Sequence, residues 1–178
     1  DDVQWRAELQ ETDGTRFRVH HQGQPAEAVH WSLLGRHNVM NALAAIAAAL
    51  AGGVPVRDAA RALTSFSNVQ RRLQRLGECR GITVYDDFAH HPTAIAATLA
   101  GLRARLGTAR LVVALEPRSN SMRAGAHLAE LGPSLRAADH VALLRRPAWS
   151  WDAHAVTQHL RPGAFVASDV PGLLQHLV

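Results

Sequence analysis

The feature that most constrains the fold is the stretch 82–93, which reads ITVYDDFAHHPT. Its first four residues are β-branched or aromatic and predict a buried strand, and Pro92 suits the first turn of a following helix. Between the two elements lie two carboxylates and two imidazoles, those of Asp86, Asp87, His90 and His91. Ligands bind beyond the carboxyl ends of strands in open α/β sheets, so we expect a site at this cluster.

Strand and helix patterns alternate after this stretch. Apolar residues at helical spacing predict a helix over 92–106 that ends at Gly107. Further patterns predict strands over 110–115, 141–144 and 164–167, the first of them covered on both faces. Helices are predicted around Leu128, over 151–160 and from Pro171. This order is typical of a Rossmann-like α/β fold, a mostly parallel, doubly wound sheet. It places three loops at one edge of that sheet: 86–91, 116–120 and 145–149.

The first part of the chain has a different pattern. Short alternating segments separated by turn residues predict three antiparallel strands, over 4–9, 15–22 and 27–33. Helical spacing then predicts helices over 38–50 and 56–63. A hairpin that turns near Arg80 and Gly81 leads into the strand at 82–85. We therefore expect an antiparallel, helix-containing segment before the parallel sheet.

Composition excludes several classes of protein. All 19 basic residues are arginines, since the chain has no lysine, and with 15 acidic residues they give a formal charge of +4. The arginines are scattered and aromatic residues do not alternate with them, so nucleic-acid binding is not expected. The longest apolar run, 42–51, is too short to cross a bilayer, and no signal-peptide pattern is present. With the single cysteine, Cys79, these features favour a soluble cytoplasmic protein.

The residues at the predicted site allow two kinds of chemistry. Two aspartates and two histidines could bind a divalent metal ion, as in a metal-dependent hydrolase. Alternatively, one carboxylate could accept hydrogen bonds from a ribose while the histidines and Arg118 face an anionic second substrate. The chain has neither a GxGxxG dinucleotide motif nor a GxxxxGK[ST] phosphate loop. Spacing alone leaves both alternatives open.

Four segments in order resemble the Mur ligases, the ATP-dependent amide ligases that build the cytoplasmic precursors of peptidoglycan. They are LGRHNVMNALAA at 34–45, FSNVQRRL at 66–73, YDDFAHHPTAI at 85–95 and LEPRSNSMR at 115–123. The resemblance covers most of the chain. It implies an enzyme of peptidoglycan recycling that joins UDP-N-acetylmuramate to the tripeptide L-alanyl-γ-D-glutamyl-meso-diaminopimelate, with ATP and Mg²⁺. The ligase that adds L-alanine to the same sugar nucleotide is the alternative within the family, disfavoured by the sequence RSNSMR after Pro117.

The resemblance also implies roles for individual residues. Those expected to bind the nucleotide are His37, Asn38 and Asn41 at the adenine, Arg72 from the linker, and Asp87 at the ribose. Those expected to bind the second substrate are His90, His91, Arg118 and Asn120. Simpler roles are open for two of these residues. Asn38 could be only a helix N-cap, and Arg118 could form a structural ion pair with Glu116 or Asp87.

The family pattern further implies a division into domains and the location of the chemistry. Residues 1–69 are expected to end the central ATP-binding domain, and 70–178 to form most of the acceptor-binding domain. Family members use a phosphate-loop lysine and a carbamylated lysine, so we expect the catalytic residues and most Mg²⁺ ligands outside these 178 residues. The 178 residues alone are then expected to be inactive. The linker departs from the family pattern at Asn68, Gln70 and Gln74, where glycine, lysine and glutamate are expected.

Overall fold

A computed structural model of the protein describes residues 4–160 and 164–177. The chain divides into two compact units, residues 1–88 and 89–178, and each is described separately. Within the described residues, no helix is long and apolar enough to cross a membrane.

The first unit begins with the predicted antiparallel sheet. Its strands are β1 (Trp5–Leu9), β2 (Arg16–His21) and β3 (Gln24–His30), in that order across the sheet. Phe17 and Val19 are fully buried while the intervening side chains of β2 point to solvent, as their alternation predicts. The turn between β2 and β3 has positive φ at both central residues, Gln22 and Gly23, which matches the twist of a two-residue hairpin.

Two helices pack on this sheet. They are α1 (Arg36–Ala51) and α2 (Val56–Thr64). The apolar stripe of α1, including Val39, Leu43 and Ile46, packs with residues of β2 and β3 and with Ala60 of α2 in one buried cluster. The antiparallel sheet and both helices are therefore confirmed.

A hairpin completes the first unit. It consists of β4 (Gln74–Cys79) and β5 (Ile82–Asp86), and it turns at Arg80 and Gly81, as predicted. The prediction of a buried strand in the parallel sheet is wrong for β5. This strand pairs with β4 in an antiparallel hairpin, and Ile82 is 66% exposed. β-Branched residues favour an extended backbone whether or not another layer covers it, so their run predicted the strand correctly but not its burial.

The second unit contains a parallel sheet. Its strands are β6 (Val112–Leu115), β7 (His140–Leu144) and β8 (Phe165–Ala167), with β7 in the middle. Residues 141–144 of β7 are buried, whereas β6 lies at an edge and Val112 is exposed. The prediction that β6 is covered on both faces is thus wrong, because Val112 and Ala114, which share one face of the strand, are both exposed. The overall fold class, antiparallel strands and helices followed by a parallel α/β sheet, is confirmed.

Helices connect the strands of the second unit. They are α3 (Pro92–Leu106), α4 (Asn120–Arg123), α5 (Leu128–Ser134), α6 (His154–Thr157) and α7 (Val170–Leu177). The bounds of α3 match the prediction, and its buried stripe includes Ile95, Leu99 and Leu102. The helix predicted over 151–160 is reduced to the four residues of α6. Trp151 lies in a loop before α6, where its indole donates a hydrogen bond to the Met122 carbonyl.

Candidate functional site

A tight turn before β2 fixes the start of α1. The backbone carbonyl of Asp13 accepts a hydrogen bond from the Gly35 amide at 2.7 Å, and its carboxylate accepts two from Thr15. A Cβ at Gly14, where φ is +83°, would lie 3.2 Å from the Gly35 carbonyl oxygen. Gly35 itself has φ 91° and precedes the first helical residue. The turn and the helix start therefore fit only with glycine at both positions.

The first turn of α1 carries the residues expected at the adenine. Asn38 is not the N-cap, because the helix begins at Arg36; its side-chain amide instead donates to the Leu34 carbonyl at 2.8 Å. Asn41 is exposed. The Nδ1 atom of His37 is buried and makes no hydrogen bond to the residues that the structure describes. Burial lowers the pKa of His37, and the carboxylate of Asp87 raises it in part, which places Asp87 within electrostatic reach of this imidazole.

The linker, residues 65–74 from the end of α2 to the first residue of β4, has an unusual backbone. Arg71 and Leu73 have φ angles of 59° and 48°, in the left-handed region that residues other than glycine rarely adopt. Side chains hold this conformation: the Asn68 amide donates to the Arg72 carbonyl, and Gln74 accepts from the Arg71 amide at 3.0 Å. Two of the three departures from the family pattern, Asn68 and Gln74, therefore form the hydrogen bonds that fix the linker.

The end of β5 is tied to the same linker. Asp87 accepts a hydrogen bond from the Leu73 amide at 2.7 Å, and Asp86 pairs with Arg71 at 3.2 Å. The guanidinium groups of Arg71 and Arg72 lie 5.1 and 5.8 Å from the centre of the Phe88 ring, a distance typical of cation–π contacts. The structure thus ties Asp87 to the linker that carries Arg72, and the assignment of both residues to a nucleotide stays a prediction.

His90 and His91 begin the second unit. Both are exposed, and His91 is the N-cap of α3, with its Nδ1 accepting from the Thr93 amide at 3.3 Å. Its ring also contacts that of His127 edge-on, with 4.5 Å between the ring centres. Because Nδ1 accepts, the neutral imidazole carries its proton on Nε2, which makes that atom a donor.

The loops that follow β6 and β7 meet, as adjacent parallel strands require. Arg146, after β7, contacts Glu116, after β6, with its Nε atom 2.8 Å from the carboxylate. The Nε atom of Arg118 lies 3.9 Å from the same oxygen, and the Arg118 side chain is 78% exposed. Glu116 is therefore paired mainly with Arg146, and Arg118 presents its guanidinium to solvent. Asn120 is exposed at the start of α4, where its side-chain oxygen accepts from Arg123.

Two tryptophans that follow β7 contact the residues that follow β6. The indole of Trp149 donates to the Pro117 carbonyl at 3.2 Å, and that of Trp151 donates to the Met122 carbonyl at 2.8 Å. The two rings are buried and stacked, with 4.1 Å between their centres. Sequence reasoning placed 145–149 near this edge but missed these contacts. The pair of tryptophans in the sequence could have indicated these contacts, because a buried indole N–H needs a hydrogen-bond acceptor.

The contacts of the acidic cluster count against the metal-dependent hydrolase. Asp86 is paired with Arg71, Asp87 accepts from the Leu73 amide, and His91 caps a helix. Among residues 4–160 and 164–177, no three histidine, cysteine or acidic side chains are placed to hold a metal ion. The residues present therefore do not fit a Mg²⁺ site of their own.

The sequence matches models of known protein families. A model of the Mur ligase middle domain matches residues 1–49, and a model described as "Mur ligase, glutamate ligase domain" matches residues 71–178. The second match covers more than half of the chain, and the chain belongs to the Mur ligase family. The family matches and the compact units divide the chain at different places, so the boundary expected at 69/70 stays a prediction.

Individual members of the family are similar to this chain over most of its length. The chain is 47% identical over 175 residues to the UDP-N-acetylmuramate–L-alanyl-γ-D-glutamyl-meso-2,6-diaminoheptandioate ligase of Escherichia coli, covering 98% of this chain and 38% of that protein. The crystal structure of a murein peptide ligase from Psychrobacter arcticus is 40% identical and superposes with a TM-score of 0.67, covering 98% of this chain and 38% of that one. A UDP-N-acetylmuramate–L-alanine ligase of Acidithiobacillus ferrooxidans is 43% identical over 147 residues, or 80% of this chain and 31% of that protein. The chain spans less than two fifths of each relative's length.

Proposed function

We propose that these residues belong to an ATP-dependent ligase that joins UDP-N-acetylmuramate to L-alanyl-γ-D-glutamyl-meso-diaminopimelate in peptidoglycan recycling. The observation that carries this proposal is the 47% identity to the Escherichia coli ligase named above over nearly the whole chain. The similarity to an L-alanine ligase covers less of the chain. Since the chain spans 38% of the first relative, the activity is proposed for the full-length protein.

On the nucleotide side, we assign His37, Asn38 and Asn41 to the adenine, Asp87 to the ribose, and Arg72 to a contact with the nucleotide from the linker. The buried Nδ1 of His37 supports this, because a buried polar atom without a partner carries a cost that a ligand donor removes. The low pKa of His37 keeps the imidazole neutral, so that Nδ1 can accept such a bond. Asp87 is held by the Leu73 amide beside Arg72, which orients its carboxylate before a ligand arrives.

On the acceptor side, we assign Arg118 and Asn120 to the tripeptide and His90 and His91 to the lining of the reaction cleft. The tripeptide carries several carboxylates, and a planar guanidinium can form two parallel hydrogen bonds to one of them. The exposure of Arg118 and its 3.9 Å separation from Glu116 support this role over a structural ion pair.

The reaction proposed activates the muramate carboxylate as an acyl phosphate, which the amine of the tripeptide attacks with release of phosphate. ATP would supply the phosphoryl group, and Mg²⁺ held by residues outside these 178 would stabilise the charge that develops on it. This chain's own residues bind and orient the nucleotide and the acceptor. They include no lysine, so we place the phosphoryl-transferring residues and the Mg²⁺ ligands in other parts of the full-length protein.

The experiment measures product formation by the full-length protein with ATP, Mg²⁺ and UDP-N-acetylmuramate. The tripeptide and L-alanine are offered separately as acceptors, and the product is identified by mass spectrometry. We expect the tripeptide to be ligated with a much higher kcat/KM than L-alanine, and we expect the 178 residues alone to form no product. Preferential ligation of L-alanine would show that the alternative family member is the correct one.

A further inference from the structure

The loop that carries Arg118 is held at both ends and exposed in the middle. At one end, Glu116 pairs with Arg146, and the Pro117 carbonyl accepts from the Trp149 indole. At the other end, the acceptors are the carbonyls of Met122 and Arg123. The Met122 carbonyl accepts a hydrogen bond from the Trp151 indole. The Arg123 carbonyl accepts two hydrogen bonds from Ser150, one from its amide and one from its hydroxyl, each at 3.1 Å.

These contacts come from one short segment, residues 146–151, which we call the tryptophan brace. Its two indoles are buried, as are Pro117 and Met122 beneath them. Gly125 completes the packing, because a Cβ there would lie 3.1 Å from a ring carbon of Trp151. In contrast, Arg118 and Asn120 between the fixed ends point to solvent. The arrangement restrains the backbone of the loop and leaves the Arg118 guanidinium open to a ligand, while the side-chain oxygen of exposed Asn120 accepts from Arg123.

We propose that the tryptophan brace positions Arg118 and Asn120 for the acceptor peptide, so that Trp149 and Trp151 are positioning residues for acceptor selection. The inference rests on the proposed role of Arg118 in binding a tripeptide carboxylate. A guanidinium on a restrained loop loses less conformational entropy when it binds, and its reach is limited to carboxylates at one distance from the reacting amine. Without the brace, the same arginine would sample many positions and could also turn onto Glu116.

The test replaces each indole by a ring that cannot donate. Trp149→Phe and Trp151→Phe retain an aromatic side chain and remove the N–H that contacts the loop. Trp31→Phe in the first unit is a matched control, because its buried indole also donates to a backbone carbonyl, that of Gly14, at 3.0 Å. The KM values for tripeptide and for ATP and the melting temperature are measured for each full-length variant.

We expect both brace variants to raise the tripeptide KM by about three- to tenfold, the ratio that corresponds to one net hydrogen bond, with the ATP KM unchanged. Trp31→Phe should lower the melting temperature to a similar extent and leave the tripeptide KM unchanged. Equal losses of melting temperature in all three variants with no change in the tripeptide KM would overturn the inference. So would a parallel rise of both KM values in the brace variants.

A double variant tests whether the brace acts through Arg118. If it does, Trp151→Phe combined with Arg118→Lys should raise the tripeptide KM by less than the product of the two single effects. Multiplicative effects would overturn the inference. Ser150→Ala, which removes one exposed hydroxyl, provides the same comparison if the tryptophan variants fail to fold. The wild-type protein separates the two proposals, since absence of tripeptide ligation contradicts the proposed function and not the brace.

Discussion

The two groups of proposed ligand-binding residues are held in place by different kinds of contact. In the first unit, Arg72 and Asp87 lie between the linker and the end of β5, among exposed arginines and main-chain amides. In the second unit, the loop with Arg118 is anchored by buried indoles from the segment that follows the central strand of a parallel sheet. One group is therefore fixed by polar contacts at the surface and the other by buried ones.

This difference has energetic consequences. Exposed ion pairs contribute little to stability and are screened by salt, whereas hydrogen bonds from buried donors cost more to break. The positive φ angles of Arg71 and Leu73 cost the linker further stability, and the hydrogen bonds made by Asn68 and Gln74 offset that cost. We therefore expect substitutions of buried donors in the second unit to lower stability and substitution of exposed Arg118 to affect acceptor binding alone. Substitutions around the linker should affect nucleotide binding with little loss of stability. The following predictions test this contrast.

The largest effect is expected from Arg103 of α3. Its guanidinium donates to the carbonyls of Gly107, Ala109 and Ala137 and to Asp139 at 2.6 Å, and the side chain is only 28% exposed. Arg103→Met should lower the free energy of unfolding by about 2 to 4 kcal/mol, because it removes all the hydrogen bonds that this largely buried guanidinium donates. Urea-induced unfolding followed by tryptophan fluorescence measures this loss.

The matched control is Arg71→Met in the first unit. Arg71 also contacts a single carboxylate, that of Asp86, but its side chain is 57% exposed. Its substitution should cost no more than about 1 kcal/mol. Equal losses for the two arginines would contradict the contrast between the units.

Asp87→Ala in the full-length protein should raise the ATP KM by about tenfold or more. It removes a charge-assisted hydrogen bond to the ribose, worth roughly 1.5 to 3 kcal/mol, and frees the Leu73 amide that holds the linker. Steady-state kinetics at saturating tripeptide measures the effect, and Asp86→Ala, which breaks only the exposed pair with Arg71, is the control. A change confined to the tripeptide KM would show that Asp87 is misassigned.

Arg118→Lys should raise the tripeptide KM by about tenfold, equivalent to roughly 1.4 kcal/mol, and leave the ATP KM and the melting temperature nearly unchanged. A lysine keeps the charge but loses the two parallel hydrogen bonds. Arg136→Lys, at an exposed arginine after α5, serves as the control. If the melting temperature falls while the tripeptide KM stays constant, Arg118 is a structural residue.

The smallest effect concerns His37 and pH. Burial lowers its pKa in the folded protein, so between that pKa and the ordinary value of 6.5 the unfolded chain binds more protons. The stability that this neutral histidine contributes is complete above about pH 6.5 and decreases as the pH falls below it. The free energy of unfolding, measured at several pH values, should therefore decrease more steeply with falling pH for the wild type than for His37→Gln. Identical slopes would show that burial does not shift this group.

The sequence predicted the backbone better than the environment of each element. Helix α3 begins at Pro92 and ends before Gly107 as expected, because both residues have strong local preferences that need no tertiary contact. Local preferences also located the turn at Arg80 and Gly81. They did not reveal that β5 is exposed or that β6 is an edge strand, since burial depends on which elements pack together.

The site residues show the same limit. The spacing and the family resemblance indicated Asp87 and Arg118, but the contacts that orient them come from distant positions in the chain. The amide of Leu73 holds Asp87, and the indoles of Trp149 and Trp151 hold the loop of Arg118. No periodicity links such positions. Asn38 illustrates the opposite error, because a residue typical of an N-cap lies within the helix and donates to the chain before it.

The stacked pair of Trp149 and Trp151 gives the second unit an optical signature of its own. We expect the electronic transitions of these stacked indoles, 4.1 Å apart and inclined by 14°, to couple and to give a paired band in the circular dichroism spectrum. Trp5 and Trp31 of the first unit have other ring partners, His21 and Phe17. The paired band therefore reports the local order of one loop, and its intensity can be followed during titration with an acceptor without attaching a label.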